Sequence, residues 1–246
     1  MIWLPIGFFV TALLYASVGF GGGSTYSALL SLAGFDYRLL PIVSLCCNVA
    51  VVTGSSLRFG RAGVTPWKRA LVLAAVAAPA ALLGGMTPIK EATFLFLLGL
   101  SLVGAGLALL LPRAATANAP PSAAARFMPL AAAPLGYLAG LTGIGGGIFL
   151  APLLHFTRWA SARAIAATTA LFILINSLAG LYGQAIKHGA GVFGEALTGA
   201  LPLLIAVVLG GQIGSLLALR VLPERVLRWL TAALTIWAGT RLLWPT

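Results

Sequence analysis

Gly21, Gly22 and Gly23, followed by Ser24, recur 124 residues later as Gly145, Gly146 and Gly147, followed by Ile148. Each triplet sits inside a long apolar run. A glycine in a helix interior costs about 1 kcal/mol relative to alanine. In hydrocarbon the cost grows, because a broken helix leaves amides that only protein or cavity water can pair. Short helices that meet mid-membrane expose N–H groups and a partial positive charge at their N-termini, which suits an anion. Glycine also lets a ligand come close to the backbone. The alternative use of such residues is close helix packing. Two matched breaks favour a binding site built from interrupted helices.

Other polar residues cluster around these breaks. Asn48 and Asn176, 128 residues apart, each fall in the span after a triplet. A buried amide is expensive unless paired. These two either line the site and donate to an anion or hydrogen-bond between helices. Ser24, Thr25 and Tyr26 follow the first triplet, and Thr142 precedes the second. Their hydroxyls cap a half-helix or hold an oxyanion. His155 and Glu195 could relay a proton, or stand as solvated end residues. Gln184 and Gln212 have no repeat partner, and Asp36, Glu91 and Glu224 read as loop and cap residues. No carboxylate pair faces the membrane interior, so an anion held by amides, hydroxyls and N–H groups fits better than a cation.

The elements that position these groups follow from composition. Of 246 residues, 60% are hydrophobic and 8% charged, with mean hydropathy +1.04. Soluble domains carry about 25% charge. The chain is therefore a polytopic integral membrane protein whose partner is the lipid bilayer. Its runs reach the ~20 residues that a spanning helix needs. The net charge of +11 does not imply a nucleic-acid partner, since the cations are scattered singly through short loops. Cys46 and Cys47 are adjacent in an apolar run and read as packing residues. The N-terminus lacks a basic region before its apolar run and reads as a poor signal peptide. No metal cluster, cofactor motif or enzyme signature is present.

The runs are 2–34 (broken at Gly21–Gly23), 39–57, about 70–86 and 92–111, then 127–157 (broken at Gly145–Gly147), 164–183, 192–219 and 226–244. Residues 112–126 are small, polar and Pro-rich, and separate a first membrane repeat, 1–111, from a second, 127–246. Gly84-Gly85 and Gly210-Gly211, and Pro88 and Pro223, add to the repeat. If every run crosses once, eight cations fall inside and seven outside. If 127–157 enters and returns on one side, eleven fall inside, and only Arg38, Lys90, Lys187 and Arg241 lie outside. The positive-inside rule favours the second arrangement. Run 2–34, with no Lys or Arg, does the same from the other side by symmetry. The expected fold is all-α, with two inverted-topology repeats. Each is a glycine-broken re-entrant hairpin or half-helix pair plus about three transmembrane helices. Trp3, Trp67, Trp159, Trp229 and Trp244 fall near predicted ends, as interfacial anchors do, and Trp237 lies inside the last span.

Gly19-Phe-Gly-Gly-Gly-Ser, paired with Gly143-Ile-Gly-Gly-Gly-Ile-Phe-Leu-Ala-Pro, resembles the sulfite exporter TauE/SafE family, also called the toluene-sulfonate uptake permease group. The resemblance covers essentially the whole chain. It implies a permease of the bacterial inner membrane for small sulfur-containing anions such as sulfite or organosulfonates, without a cofactor. It also implies a secondary transporter, driven by a coupling ion or by the anion's own gradient. A homodimer is compatible with it. A passive anion channel and a non-transporting subunit of a larger complex are the competing functions.

Overall fold

The computed structural model of the chain describes residues 3–17, 19–110, 122–217 and 224–244. Most of the expected linker, with Arg113, and residues 218–223, with Arg220 and Pro223, lie outside the described residues. The described residues form helices and no strands. In order these are α1 (Trp3–Ser17), α2 (Gly23–Leu32), α3 (Leu39–Arg61), α4 (Trp67–Met86) and α5 (Glu91–Leu110). A 3-10 turn, Ala123–Phe127, leads into α6 (Met128–Thr142). There follow α7 (Gly147–Phe156), α8 (Ala162–Leu217) and α9 (Glu224–Leu243). Gly189, at φ 75° and ψ 176°, folds α8 into two arms, α8a (Ala162–Gly189) and α8b (Gly191–Gly214). The chain thus reverses there at a single glycine, which can take this left-handed φ without a Cβ clash.

Five helices are long and apolar enough to cross a membrane: α3, α4, α5, α8a and α8b. α9 matches α4 and α5 in length but carries Arg228 and Arg241. α1 and α6 have 15 residues each, and α2 and α7 have 10. At 1.5 Å per residue these are about 22 and 15 Å long, short of a ~30 Å core. They therefore pair as hairpins. In the first, Tyr15 bonds Thr25 near the tip, the ring of Phe8 stacks on Tyr26 at 4.7 Å, and Gly7 lies against Leu29. In the second, the N–H of Ser122, just before α6, donates to the carbonyl of Thr157, just after α7, at 3.0 Å. That bond fastens the two open ends of the hairpin together.

Glycines let the hairpins lie directly on the long helices. On α4, Gly84 leaves no room for a Cβ against the carbonyl of Tyr137, and on α6 Gly136 and Gly140 abut the carbonyls of Ala77 and Ala81. On α8b, Gly210 and Gly214 meet the carbonyls of Phe9 and Leu13 in α1. α5 and α9 form a separate pair, with Gly99 against the Gly239 carbonyl and Gly106 against that of Ala232. Such contacts replace side-chain interlocking with backbone approach, as in membrane helix pairs rich in small residues.

The tryptophans divide. Trp3, Trp67, Trp229, Trp237 and Trp244 are exposed. Trp159 is not an interfacial anchor. It is buried, the guanidinium of Arg69 sits 3.9 Å from its ring centroid, and the same arginine donates to its carbonyl at 2.9 Å. The cation–π contact fixes the start of α4 onto the end of the second hairpin.

Candidate functional site

Both breaks use left-handed glycines at matching places. Gly19 and Gly143 have φ of 85° and 78°, and Gly22 and Gly146 have φ of 86° and 76°. Each pair ends one half-helix and begins the next, where a residue with a Cβ would be strained. Gly145 adds a third left-handed position in the second break (φ 79°), with no counterpart at Gly21.

The two tips meet, and Asn48 joins them. Its Oδ1 accepts the N–H of Gly23, the first residue of α2, at 2.9 Å. Its Nδ2 donates to the carbonyl of Ile144, between α6 and α7, at 3.2 Å, with Gly143 further away. Gly21 and Gly23 leave no space for a Cβ beside the Asn48 amide, and a Cβ on Gly145 would stand 2.7 Å from its Nδ2. Asn48 is fully buried. Of the two uses open to it, the hydrogen bond between helices is the one made. Around it, Ser27 and Ser44 share a hydrogen bond of 2.7 Å. Tyr15 bonds Thr25 at 2.7 Å and also reaches Thr235 in α9. Ser24 is buried on the first turn of α2.

The second break is lined differently. Gly19 lies against Ala166 and Gly143 against Pro41, so α8a follows α3 at an offset of 125. At that offset Asn48 corresponds to Ile173, and Asn176 to Val51. The contacts agree, since Gly145 and Gly147 both press on Ile173. Asn176 is thus not the counterpart of Asn48, but lies almost one turn further along. It is fully buried, and neither its Oδ1 nor its Nδ2 has a partner. The same is true of Thr169 Oγ1 and Ser177 Oγ. Ser177 Oγ would stand 3.2 Å from a Cβ on Gly145, and the Thr169 methyl 2.8 Å from one on Gly147. Gln184 donates to the Gly140 carbonyl at 3.0 Å, but its Oε1 is unpartnered. On the first side Tyr26, whose hydroxyl touches the Gly22 position, is likewise buried and unpartnered.

A buried polar atom without a partner costs about 1–3 kcal/mol. Such a run of atoms lies along α8a, with Thr169 and Ser177 beside the start of α7, where the helix dipole favours negative charge. Tyr26 is among the hydroxyls that follow the first triplet, whereas Thr169 and Ser177 lie outside the glycine pattern. A stripe of hydroxyls eight residues apart on α8a is the signal that points to Thr169 and Ser177.

The proposed relay residues are not part of this cluster. Partly exposed His155 is on the last turn of α7. Glu195 is exposed on α8b and lines a cavity with Asp36 at the far end of the molecule. Asp36 accepts hydrogen bonds from the Arg38 guanidinium, which hold its carboxyl below the usual carboxylate range. Among the described residues no group of His, Cys, Asp and Glu could hold a metal ion.

Comparison with known proteins agrees with this architecture. The family model described as Sulfite exporter TauE/SafE matches residues 3–242. A probable membrane transporter protein, y4hK, of Sinorhizobium fredii (strain NBRC 101917 / NGR234) is 36% identical over 248 residues, covering 99% of this chain and 98% of that protein. No solved structure matches. The chain therefore belongs to the sulfite exporter TauE/SafE family, and it is a multi-pass membrane transporter of that type.

Proposed function

We propose that the protein is a secondary transporter for small sulfur-containing anions, sulfite or organosulfonates, in the bacterial inner membrane. The anion is seated at the second glycine break, between Gly145–Gly147 and the Asn176, Ser177 and Thr169 face of α8a. Gly21–Gly23, Ser24 and Asn48 form the opposing wall. The observation that carries this is the line of buried, unpartnered polar groups on α8a: Thr169 and Ser177 against Gly147 and Gly145 of the second break, and the Asn176 amide one residue before Ser177 with both polar atoms unpartnered. An amide in that state is explained by a ligand that uses it.

The two halves act as inverted repeats that rock against each other. What supports this is the reciprocity of their contacts. Gly19 with Ala166 mirrors Gly143 with Pro41, and Tyr137 on Gly84 mirrors Leu13 on Gly214. The pair formed by α5 and α9 is reciprocal in the same way. With three crossings between them, α3, α4 and α5, the two hairpins then enter from opposite sides.

The test is sulfite flux in proteoliposomes. Asn176→Leu removes the unpartnered amide without adding bulk, so the variant folds at least as stably and loses flux. A folded Asn176→Leu protein with wild-type flux for sulfite and benzenesulfonate would sink the site.

A further inference from the structure

A second, separate binding place lies at the end of the molecule where α3 begins and α8a ends. A cavity of about 170 Å³ is lined there by Arg38, Lys187 and His188, with Ile89, Phe94 and Leu141 among its apolar walls. The charged residues come from positions about 150 apart and meet only in the fold. Its floor includes Pro41, whose Cα would lie 2.6 Å from a Cβ on Gly143, so the cavity ends against the second glycine break.

The charges there are unequal. Arg38 is engaged by Asp36 through three contacts from its guanidinium, which largely cancels its charge. Lys187 is half-buried, and among the described residues its ammonium has the Thr87 carbonyl alone, at 3.5 Å, beyond an ordinary N–H···O distance. Its ammonium is therefore the main uncancelled charge in the cavity, with His188 beside it. Low-dielectric walls focus such a field and raise the local concentration of anions. A cavity of roughly 150 Å³ holds a benzene-sized ligand. An ammonium group over an aromatic and aliphatic floor suits an anion that has an apolar body rather than a bare oxyanion.

We infer that this cavity is an outer capture site for small organic anions, with the anionic group on Lys187 and His188 and the apolar body against Phe94, Ile89 and Leu141. It rests on the transport function proposed above but is independent of the central seat. Lys187 also complements the carbonyl end of α8a. A purely capping role would lower the melting temperature of a Lys187 variant without changing anion affinity.

The test is calorimetric titration of the full chain in detergent at low salt, with benzenesulfonate as probe and sulfite as comparison. Removing one charge about 4 Å from the anion weakens binding at least about fivefold, the value for a fully water-like dielectric. Lys187→Gln is expected to show that loss for benzenesulfonate. Asp36→Asn, which releases Arg38, is expected to tighten binding. Asn176→Leu keeps the Lys187-dependent binding while losing flux. Wild-type affinity in a folded Lys187→Gln protein overturns the capture site, as does sulfite binding there as tightly as benzenesulfonate. If Lys187→Gln does not fold, the opposite shifts expected of His188→Gln and Asp36→Asn decide, and their absence overturns it. Full flux in Asn176→Leu with the Lys187 effect intact would overturn only the central seat.

Discussion

The two glycine breaks share a backbone and differ in what surrounds it. In the first half, Ser44 on α3 bonds Ser27 on α2, and Asn48 one turn later closes both tips. At the equivalent places in the second half stand Thr169 and Ala151, then Ile173. Ala151 has no hydroxyl to offer, so Thr169 is left unpartnered. Ile173 cannot cap α7 as Asn48 caps α2. The first break is thus held by hydrogen bonds from α3, while beside the second the hydroxyls of Thr169 and Ser177 have no partner. The first makes the tips a fixed point, and the second leaves chemistry for a ligand.

Variants that exchange the two conditions test this contrast. The largest effect is expected at Asn48. Asn48→Leu strands the Gly23 N–H and the Ile144 carbonyl in the interior, at about 1–3 kcal/mol each. The protein should elute as aggregate or melt far below wild type on size exclusion and thermal scans. Asn176→Leu should do the reverse, with a melting temperature equal to or above wild type and flux reduced about tenfold or more, as loss of a ligand hydrogen bond implies. If Asn176→Leu destabilises as much as Asn48→Leu, the halves are alike and the contrast fails. A smaller difference is expected at the hydroxyls. Ser27→Ala should cost about 0.5–1 kcal/mol by breaking the Ser27–Ser44 bond, whereas Thr169→Val should cost nothing in a chemical-denaturation series.

The smallest effect concerns Asp36, outside the breaks. Its carboxyl is held low by Arg38, so the pair stabilises the fold above the unfolded carboxylate range near pH 4. That contribution disappears as the pH falls through the lowered value. Both side chains are well exposed, so solvent screens the pair and its contribution is small. Thermal melts at about pH 6 and about pH 3 should show a slightly larger drop for wild type than for Asp36→Asn.

Much of this was legible in residue order. The glycine triplets marked both tips, because no other residue makes such a break in an apolar run affordable. The lengths between them separated short hairpin helices from spanning ones. The register within α8a was not legible. Asn176 matches Asn48 in type and approximate position, but the halves differ by a residue or so in each loop, and in a helix a three-residue slip turns a side chain to a different neighbour. A four-residue slip in the other direction pairs Gly84 with Gly214 rather than with Gly210. Nor could Asn48 be seen to bridge both breaks, since its carbonyl partner lies 96 residues away. Arg38 and Lys187 looked like topology charges at loop ends, and only folding sets them around one cavity.

The glycine-lined contacts of α6 on α4 and of α1 on α8b bear on how such a molecule can move. Interlocked side chains act as gear teeth, and a helix must be lifted before it can advance past them. Here carbonyls rest on bare Cα positions at Gly84, Gly136, Gly140, Gly210 and Gly214, and a Cβ at any of them would collide. A hairpin displaced along its helix would carry a neighbouring Cβ onto a carbonyl, so the glycines act as detents that fix where each hairpin can rest.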